Sequence, residues 1–328
     1  MSKKLLITGG AGFIGSHAVG SVLENTDAEV VVLDRLDISG NLKRLAELPM
    51  WEAEKARVKF VWWDLKATLN SQIRREIGKV DYIWHLAAGS HVDRSITHPM
   101  EFVMDNVVGT CNLLNYAREI KPKMFLYFGT DEVFGPAPEG TDYKEWDRYK
   151  SSNPYAATKA GAEELCVAYS NTYKLPVIIT HTMNVFGERQ HPEKYIPMTV
   201  YKVKNGEEVL IHADPTETKS GTRKWISATN VCSTLQFLTE NGAMGEKYNI
   251  VGKEMSNLEL AKFIAEVLEK PLQYKMVNFH SSRPGHDLRY SLDGTKLREM
   301  GLDFEIAHED SLRRVIEWYV NNPSWLLE

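Results

Sequence analysis

The residues with the clearest chemical promise are Tyr155 and Lys159, four apart at the start of a stretch of good helix formers. That spacing puts both side chains on one helical face. An ammonium beside a phenol lowers its pKa from a reference of about 10, toward a value at which it accepts a proton from an alcohol. A second group lies upstream. Thr130 can hydrogen-bond a hydroxyl, and the adjacent Asp131 and Glu132 offer two carboxyls. Paired carboxyls pushed to different protonation states provide one acid and one base. Alone, a Tyr and a Lys at this spacing are common on surfaces, and two adjacent acids commonly form a solvated turn. The elements that position them decide between these readings.

The chain predicts alternating strands and helices. Strands are expected at Lys4–Thr8, Glu29–Leu33, Val58–Trp63, Tyr82–Leu86, Met124–Gly129 and Pro176–Thr182, several too uniformly apolar to face solvent. Helices are expected at Gly12–Leu23, Phe102–Ile120 and Tyr155–Tyr173. This alternation predicts an α/β, Rossmann-type doubly wound parallel sheet. Thr130–Glu132 then fall at the C-terminal end of a strand, the edge where such sheets bind ligands. After about Asn184 the pattern weakens. It predicts a smaller C-terminal lobe with helices at Asn257–Glu269 and Glu309–Val320, hence a division into 1–183 and 184–328, with later segments able to return to the first part. Residues 214–222 are polar, a solvated turn more readily than a lid.

Between the first strand and helix runs LLITGGAGFIGS (5–16), with Gly9, Gly12 and Gly15 in GxxGxxG spacing. Glycines there allow a tight turn and close approach of a diphosphate to backbone amides at a helix N-terminus. Asp34 ends the second strand, where a carboxylate accepts from both ribose hydroxyls and repels a 2′-phosphate. NAD is therefore expected over NADP, although Arg35 follows and partly offsets that repulsion. Asp64, ending the third strand, reads equally as an adenine contact or a helix N-cap.

The chain has 328 residues, 39 basic and 44 acidic, for a formal charge of −5. An acidic balance argues against nucleic acid as a partner, and 43% hydrophobic residues argue against disorder. Cys111, Cys166 and Cys232 lie far apart without a CxxC, so neither a disulfide framework nor a thiolate zinc site is expected, and no histidine pattern suggests any other metal. No apolar run approaches a membrane span and no signal peptide is recognisable, which predicts a cytoplasmic protein without membrane contact.

With these motifs in view the chain resembles the extended short-chain dehydrogenase/reductases, and among them the nucleotide-sugar 4,6-dehydratases. The resembling stretches are TGGAGFIGS (8–16), HLAAGSHVDRS (85–95), GTDEVFG (129–135), NPYAATKAGAEE (153–164), NVFGERQHPEKYIP (184–197) and RPGHDLRY (283–290). The resemblance implies a tightly held NAD and a nucleotide-linked hexose, dTDP-glucose first and UDP-glucose second. Oxidation at carbon 4 by way of Tyr155 is followed by loss of water across carbons 5 and 6, with Glu132 as base and Asp131 as acid. Hydride then returns to carbon 6. Thr130 and Lys159 support the alkoxide and the tyrosinate. Phe13, Ile14, Asp34, Asp64, Leu65, Ala87, Ala88, Tyr155 and Lys159 are implied to touch NAD, and Ser90, Thr130, Asn184, Lys194, Arg223, Arg283 and His286 the sugar nucleotide. His91 reads equally as a pocket histidine and a site residue.

Gly89 departs from the family pattern, which commonly has a carboxylate or amide there. Gly129 replaces a usual Ser, and Met183 and Val185 flank Asn184 where Ser and Asn are frequent. The alternatives are a 4-epimerase of the same fold, which would not need Asp131 and Glu132, and a non-catalytic NAD-binding regulator, which could lose any of the reacting groups. Finally, Val103, Val107, Leu114, Ala162, Leu165, Ala168 and Tyr169 look apolar beyond the needs of one sheet face. The resemblance implies that their two helices pair with their mates in a homodimer.

Overall fold

Uninterrupted apolar strands require cover on both faces, and the computed structural model, which describes residues 3–278, 289–304 and 307–327, provides it. Strands β1 (Lys4–Thr8), β2 (Glu29–Asp34), β3 (Val58–Trp62), β4 (Tyr82–His85), β5 (Met124–Thr130) and β6 (Val177–Thr182) lie in one sheet. β7 (Asn184–Phe186), β8 (Val209–Ala213) and β9 (Thr222–Ser227) follow outside it, then β10 (Lys247–Ile250), β11 (Lys253–Ser256) and β12 (Tyr274–Asn278). The order β10-β6-β5-β4-β1-β2-β3 is parallel throughout and reverses direction between β1 and β4. That reversal opens the crevice in which doubly wound sheets bind ligands.

Alternation along each strand divides the core. Leu5, Ile7, Val30, Val32, Leu126 and Ile178 face the helices Phe13–Asn25 and Ala228–Asn241, through Ala18, Val22, Val231 and Leu235. Leu6, Val31, Leu33, Ile83, Phe125 and Ile179 face the helices Gly109–Ile120 and Pro154–Tyr173, through Leu113, Leu114, Ala162 and Cys166. Leu114 and Ala162 are thus fully covered by their own chain and are not part of a spare apolar face. A separate core of Phe186, Ile196, Val200, Leu260, Ile264, Leu312 and Ile316 lies beside the sheets β11-β9-β7 and β12-β8.

The six early strands fall where the residue pattern puts them, to within a residue. Among the helices of ten residues or more, two, Tyr195–Asn205 and Ala228–Asn241, are not expected from the residue pattern. The first carries Pro197 and several β-branched residues, the second a run of Thr, Asn and Ser, and tertiary packing overrides their weak propensity. The expected helix Phe102–Ile120 begins earlier, at Pro99–Phe102, and passes through a π-helical stretch, Val103–Val108, before Gly109–Ile120. Residues 214–222 form a tight turn in which the Asp214 carboxylate accepts from the amides of Thr218 and Lys219 at 2.9 Å each.

One polar cluster ties the sheet edge to the helix Pro154–Tyr173. Glu163, fully buried, meets Lys247 Nζ at 2.8 Å and His181 Nε2 at 3.0 Å, and also accepts from the Tyr149 hydroxyl. Asn249 Oδ1 holds the far nitrogen of His181 at 3.0 Å. Burial alone would raise the Glu163 carboxyl, but His181 and Lys247 outweigh it and hold it at about 2. Glu163→Gln keeps the shape but leaves a buried ammonium without its counter-charge. We expect a loss of about 3–5 kcal/mol in urea unfolding. The native carboxyl is depressed, so its stabilisation is complete above the ordinary carboxylate pKa and disappears as pH falls from about 4.5 toward 2. Acid titration followed by circular dichroism should show this limb in the parent chain and lose it in the variant.

Candidate active site

The glycine turn is required by geometry. Gly9 has φ +70°, and a Cβ there would come within 2.8 Å of the Ala87 backbone. A Cβ on Gly15 would overlap the Gly9 carbonyl oxygen. The turn therefore lies flat against the loop after β4 and presents the amides of the following helix to a cleft of about 370 Å³. Asn106 fixes that loop from the π-helical stretch: its Oδ1 accepts from the Gly89 amide at 2.8 Å, and its Nδ2 donates to Gly89 O at 3.1 Å and Thr158 Oγ1 at 2.9 Å.

At the far end of the cleft stands Asp34, with Oδ2 3.0 Å from the Ala11 amide and Oδ1 2.9 Å from the Leu36 amide. Burial pushes its pKa up against the pull of these amides. A carboxylate has about four acceptor positions, so two amides leave capacity for ribose hydroxyls. A backbone cradle that any Cβ would fill, with this carboxylate beyond it, fits a dinucleotide.

The sequence Asn153-Pro154-Tyr155 explains the other wall. Asn153 caps the helix by accepting from the Ala156 amide at 2.8 Å, and Pro154 takes the first helical position. Tyr155 is thereby held at the first turn, with its amide on Ser95 Oγ at 3.1 Å. Lys159, one turn on, is buried and donates to Phe128 O at 2.7 Å, 4.3 Å from the centre of the Tyr127 ring. Burial lowers its pKa to about 8. The Tyr155 phenol is pushed well above its usual value, by burial first and then by Glu132, with Thr130 pulling the other way. This corrects the expectation that Lys159 depresses the phenol in the chain by itself: its ammonium is committed to the strand carbonyl, and two carboxylates stand close to the ring.

β5 ends in Thr130, whose hydroxyl donates to Asp131 Oδ1 at 3.1 Å. Asn153 Nδ2 donates to Glu132 Oε2 at 2.9 Å, which aims the glutamate across the helix start. Asp131 is buried, its Oδ2 has no hydrogen-bond partner among the described residues, and burial followed by Glu132 raises its pKa to about 7. Asp131 is thus able to hold a proton near neutrality, beside the less buried Glu132.

The cleft is lined by Gly9, Gly12, Phe13, Ile14, Gly15, Asp34, Asp64, Leu65, Ala87, Ala88, Ser90, Thr130, Asp131, Glu132, Tyr155, Lys159, Asn184 and Lys194, which the structure brings together from seven separate stretches of chain. Arg223 stands outside the lining, its guanidinium 4.7 Å over the Tyr290 ring, although its charge is felt at Asp131. Arg283 and His286 lie outside the described residues. Asp64 lines the cleft and caps a turn rather than a helix, through the Lys66 amide at 2.9 Å. His91 faces Glu193 at 3.4 Å and does not line the cleft. Arg35, Arg44, Asp105 and His191 do line it and were not singled out as site residues. His191 sits in a motif already quoted, whereas Asp105 gave no signal, because a π-helical stretch shifts which residues face inward. No group of three metal-ligating side chains occurs among the described residues.

Comparison with known proteins places this geometry. The family model described as GDP-mannose 4,6 dehydratase matches residues 6–317. The low-salt glycan biosynthesis protein Agl12 of Haloferax volcanii is 39% identical, over 97% of this chain and 99% of its own. dTDP-glucose 4,6-dehydratase of Neisseria gonorrhoeae is 36% identical, over 98% and 97%. The crystal structure of DesIV, a dTDP-glucose 4,6-dehydratase of Streptomyces venezuelae with NAD bound, superposes with a TM-score of 0.88 at 36% identity and covers 99% of both chains. Sheet order, glycine cradle and full-length similarity agree, and the chain belongs to the nucleotide-sugar 4,6-dehydratase family of extended short-chain dehydrogenase/reductases.

Proposed function

We propose that the chain dehydrates a nucleotide-linked glucose, dTDP-glucose in the first instance, to the 4-keto-6-deoxy sugar nucleotide. The observation that carries this reading is the pair Asp131 and Glu132 in unlike environments on the same cleft as Tyr155. Bound NAD supplies a reversible hydride acceptor and, when oxidised, a positive charge that favours the Tyr155 phenolate. Tyr155 takes the proton of the 4-hydroxyl, and Thr130 donates to the same oxygen. The 4-ketone acidifies the hydrogen on carbon 5, which Glu132 removes. Asp131 protonates the departing 6-hydroxyl, since hydroxide leaves poorly unless protonated. Water departs, the hydride given up by carbon 4 would return to carbon 6 as a proton returns to carbon 5, and no external reductant is consumed. Lys194, Arg223, Arg283 and His286 are assigned to the nucleotide side, where cations suit a diphosphate. An epimerase would have no use for a carboxyl that holds its proton near neutrality.

Three free thiols fit a reducing cytoplasm, and no helix among the described residues is long and apolar enough to cross a membrane. The homodimer is proposed on a smaller patch than the residue pattern suggests. Val103, Val107, Leu165 and Tyr169 are half-buried and Ala168 is exposed, while Met100 and Met104 add exposed apolar surface. Light scattering at micromolar concentration should give twice the chain mass, and a monomer would remove this assignment.

The chemical steps separate by variant. Glu132→Gln should still oxidise dTDP-glucose, giving transient NADH absorbance without dehydrated product by mass spectrometry. Asp131→Asn should slow water loss and Tyr155→Phe should suppress the NADH signal, each by about 10²–10⁴-fold. Wild-type dehydration by Glu132→Gln would remove the pair from the mechanism.

The acid also sets a pH limb. Asp131 holds its proton below about 7 and loses it above, so single-turnover water loss should fall as pH rises through about 7. Asp131→Asn should lack this limb, and a limb that persists in the variant belongs to another group.

A further inference from the structure

Arg35 directly follows the carboxylate that ends β2, a place from which a guanidinium can accommodate a 2′-phosphate. Position alone would therefore let Arg35 offset part of the repulsion that Asp34 sets against a 2′-phosphate. The structure shows the guanidinium already engaged. Its Nε–H and one terminal N–H reach Asp37 Oδ2 at 2.8 and 2.6 Å. Both terminal nitrogens donate to Asp105, at 2.5 Å to Oδ1 and 2.8 Å to Oδ2, in a bidentate fork, and Asp64 lies 3.6 Å away.

The two aspartates do not hold it equally. Asp37 is a sequence neighbour whose side chain is 37% exposed, and such pairs are weak. Asp105 is 12% exposed and arrives from the π-helical stretch, so its fork is better shielded and more rigidly supported. Room for it comes from Gly89, one of the departures from the family pattern. A Cβ at 89 would sit 3.3 Å from Asp105 Oδ2 and 3.2 Å from the Phe102 ring, so a longer side chain would compete for the place the Asp105 carboxylate takes. The remaining cations here are also engaged: Arg44 donates to Arg189 O and Ser39 O at 2.9 Å each, and Lys66 lies 3.3 Å from Asp64 and 3.9 Å from Asp105. Asp34, Asp37, Asp64 and Asp105 thus face three committed cations at this end of the cleft.

We propose that Asp105 determines the dinucleotide specificity of this cleft, by holding Arg35 in a bidentate fork and so denying its guanidinium to a 2′-phosphate. The inference rests on the NAD reading of the cleft but not on any sugar substrate. It acts through Arg35, so Asp105 is a positioning residue for specificity. Asp105→Asn keeps the shape, removes the charge and weakens the fork.

The test titrates the full chain, stripped of cofactor, with NAD and with NADP, reading tryptophan fluorescence. The parent chain should prefer NAD. Asp105→Asn should shift the ratio of affinities toward NADP by about tenfold, mainly by tighter NADP binding. Introduced into an Arg35→Ala background, the same substitution should shift the ratio much less. An unchanged ratio, or an equal shift with and without Arg35, overturns the proposal, the second outcome assigning the effect to direct repulsion. Asp105→Ser, which removes the same charge, carries the test if the Asn variant does not fold. Failure of the parent chain to bind either dinucleotide would instead overturn the NAD reading, and neither result depends on dehydration of a sugar.

Discussion

The docking of the helix Pro154–Tyr173 onto β5 and β6 determines where the two halves of the active site stand. Tyr155 and Lys159 belong to the helix, Thr130 to the strand end and Asp131 and Glu132 to the turn after it, and nothing local in sequence relates them. Three contacts do so: Lys159 on Phe128 O, Asn153 on Glu132, and Glu163 against Lys247 and His181. The last is the most demanding, because burying a carboxylate is tolerated only with its partners in place. It also spans the chain widely, since Lys247 lies on β10, the sheet's edge strand.

Electrostatics grade the cleft along its length. Asp34, Asp37, Asp64 and Asp105 gather carboxylates on the β2 and β3 side, Asp131, raised to about 7, stands after β5, and Lys194 lines the cleft from beyond β7. A ligand with neutral hydroxyls at one end and its diphosphate at the N-terminus of the helix Phe13–Asn25 matches this grading better than one charged throughout. The raised Asp131 and the lowered Lys159 share a cause. Both are taken out of water, and each moves toward its neutral form.

Much of this was legible in the residues. Strand runs such as Val30–Leu33 can only be buried in a parallel sheet, and GxxGxxG between such a strand and a helix has few other uses. The run of helix formers from Tyr155 announced the helix that carries Tyr155 and Lys159 on one face. What stayed hidden depends on distant packing. The helix Ala228–Asn241 is built from weak formers and exists because Val231, Leu235 and Leu238 cover the sheet. The state of Tyr155 could not be read from its spacing to Lys159, because spacing does not show that Phe128 O takes the ammonium. Arg223 likewise carries a plausible charge on a neighbouring strand without lining the cleft.

The π-helical stretch Val103–Val108 has a consequence for how this chain can change length. A π turn accommodates one residue more than the α turn it interrupts, so it behaves as a tolerated insertion. Deleting a residue there would return the backbone to a regular helix at little local cost. It would leave the flanking helix in register but re-aim the side chains within the stretch, carrying Asp105 off Arg35 and Asn106 off Gly89 together. Drift in helix length is therefore closed to this segment. Among homologous chains, a shortened helix here should be accompanied by a side chain larger than glycine at position 89.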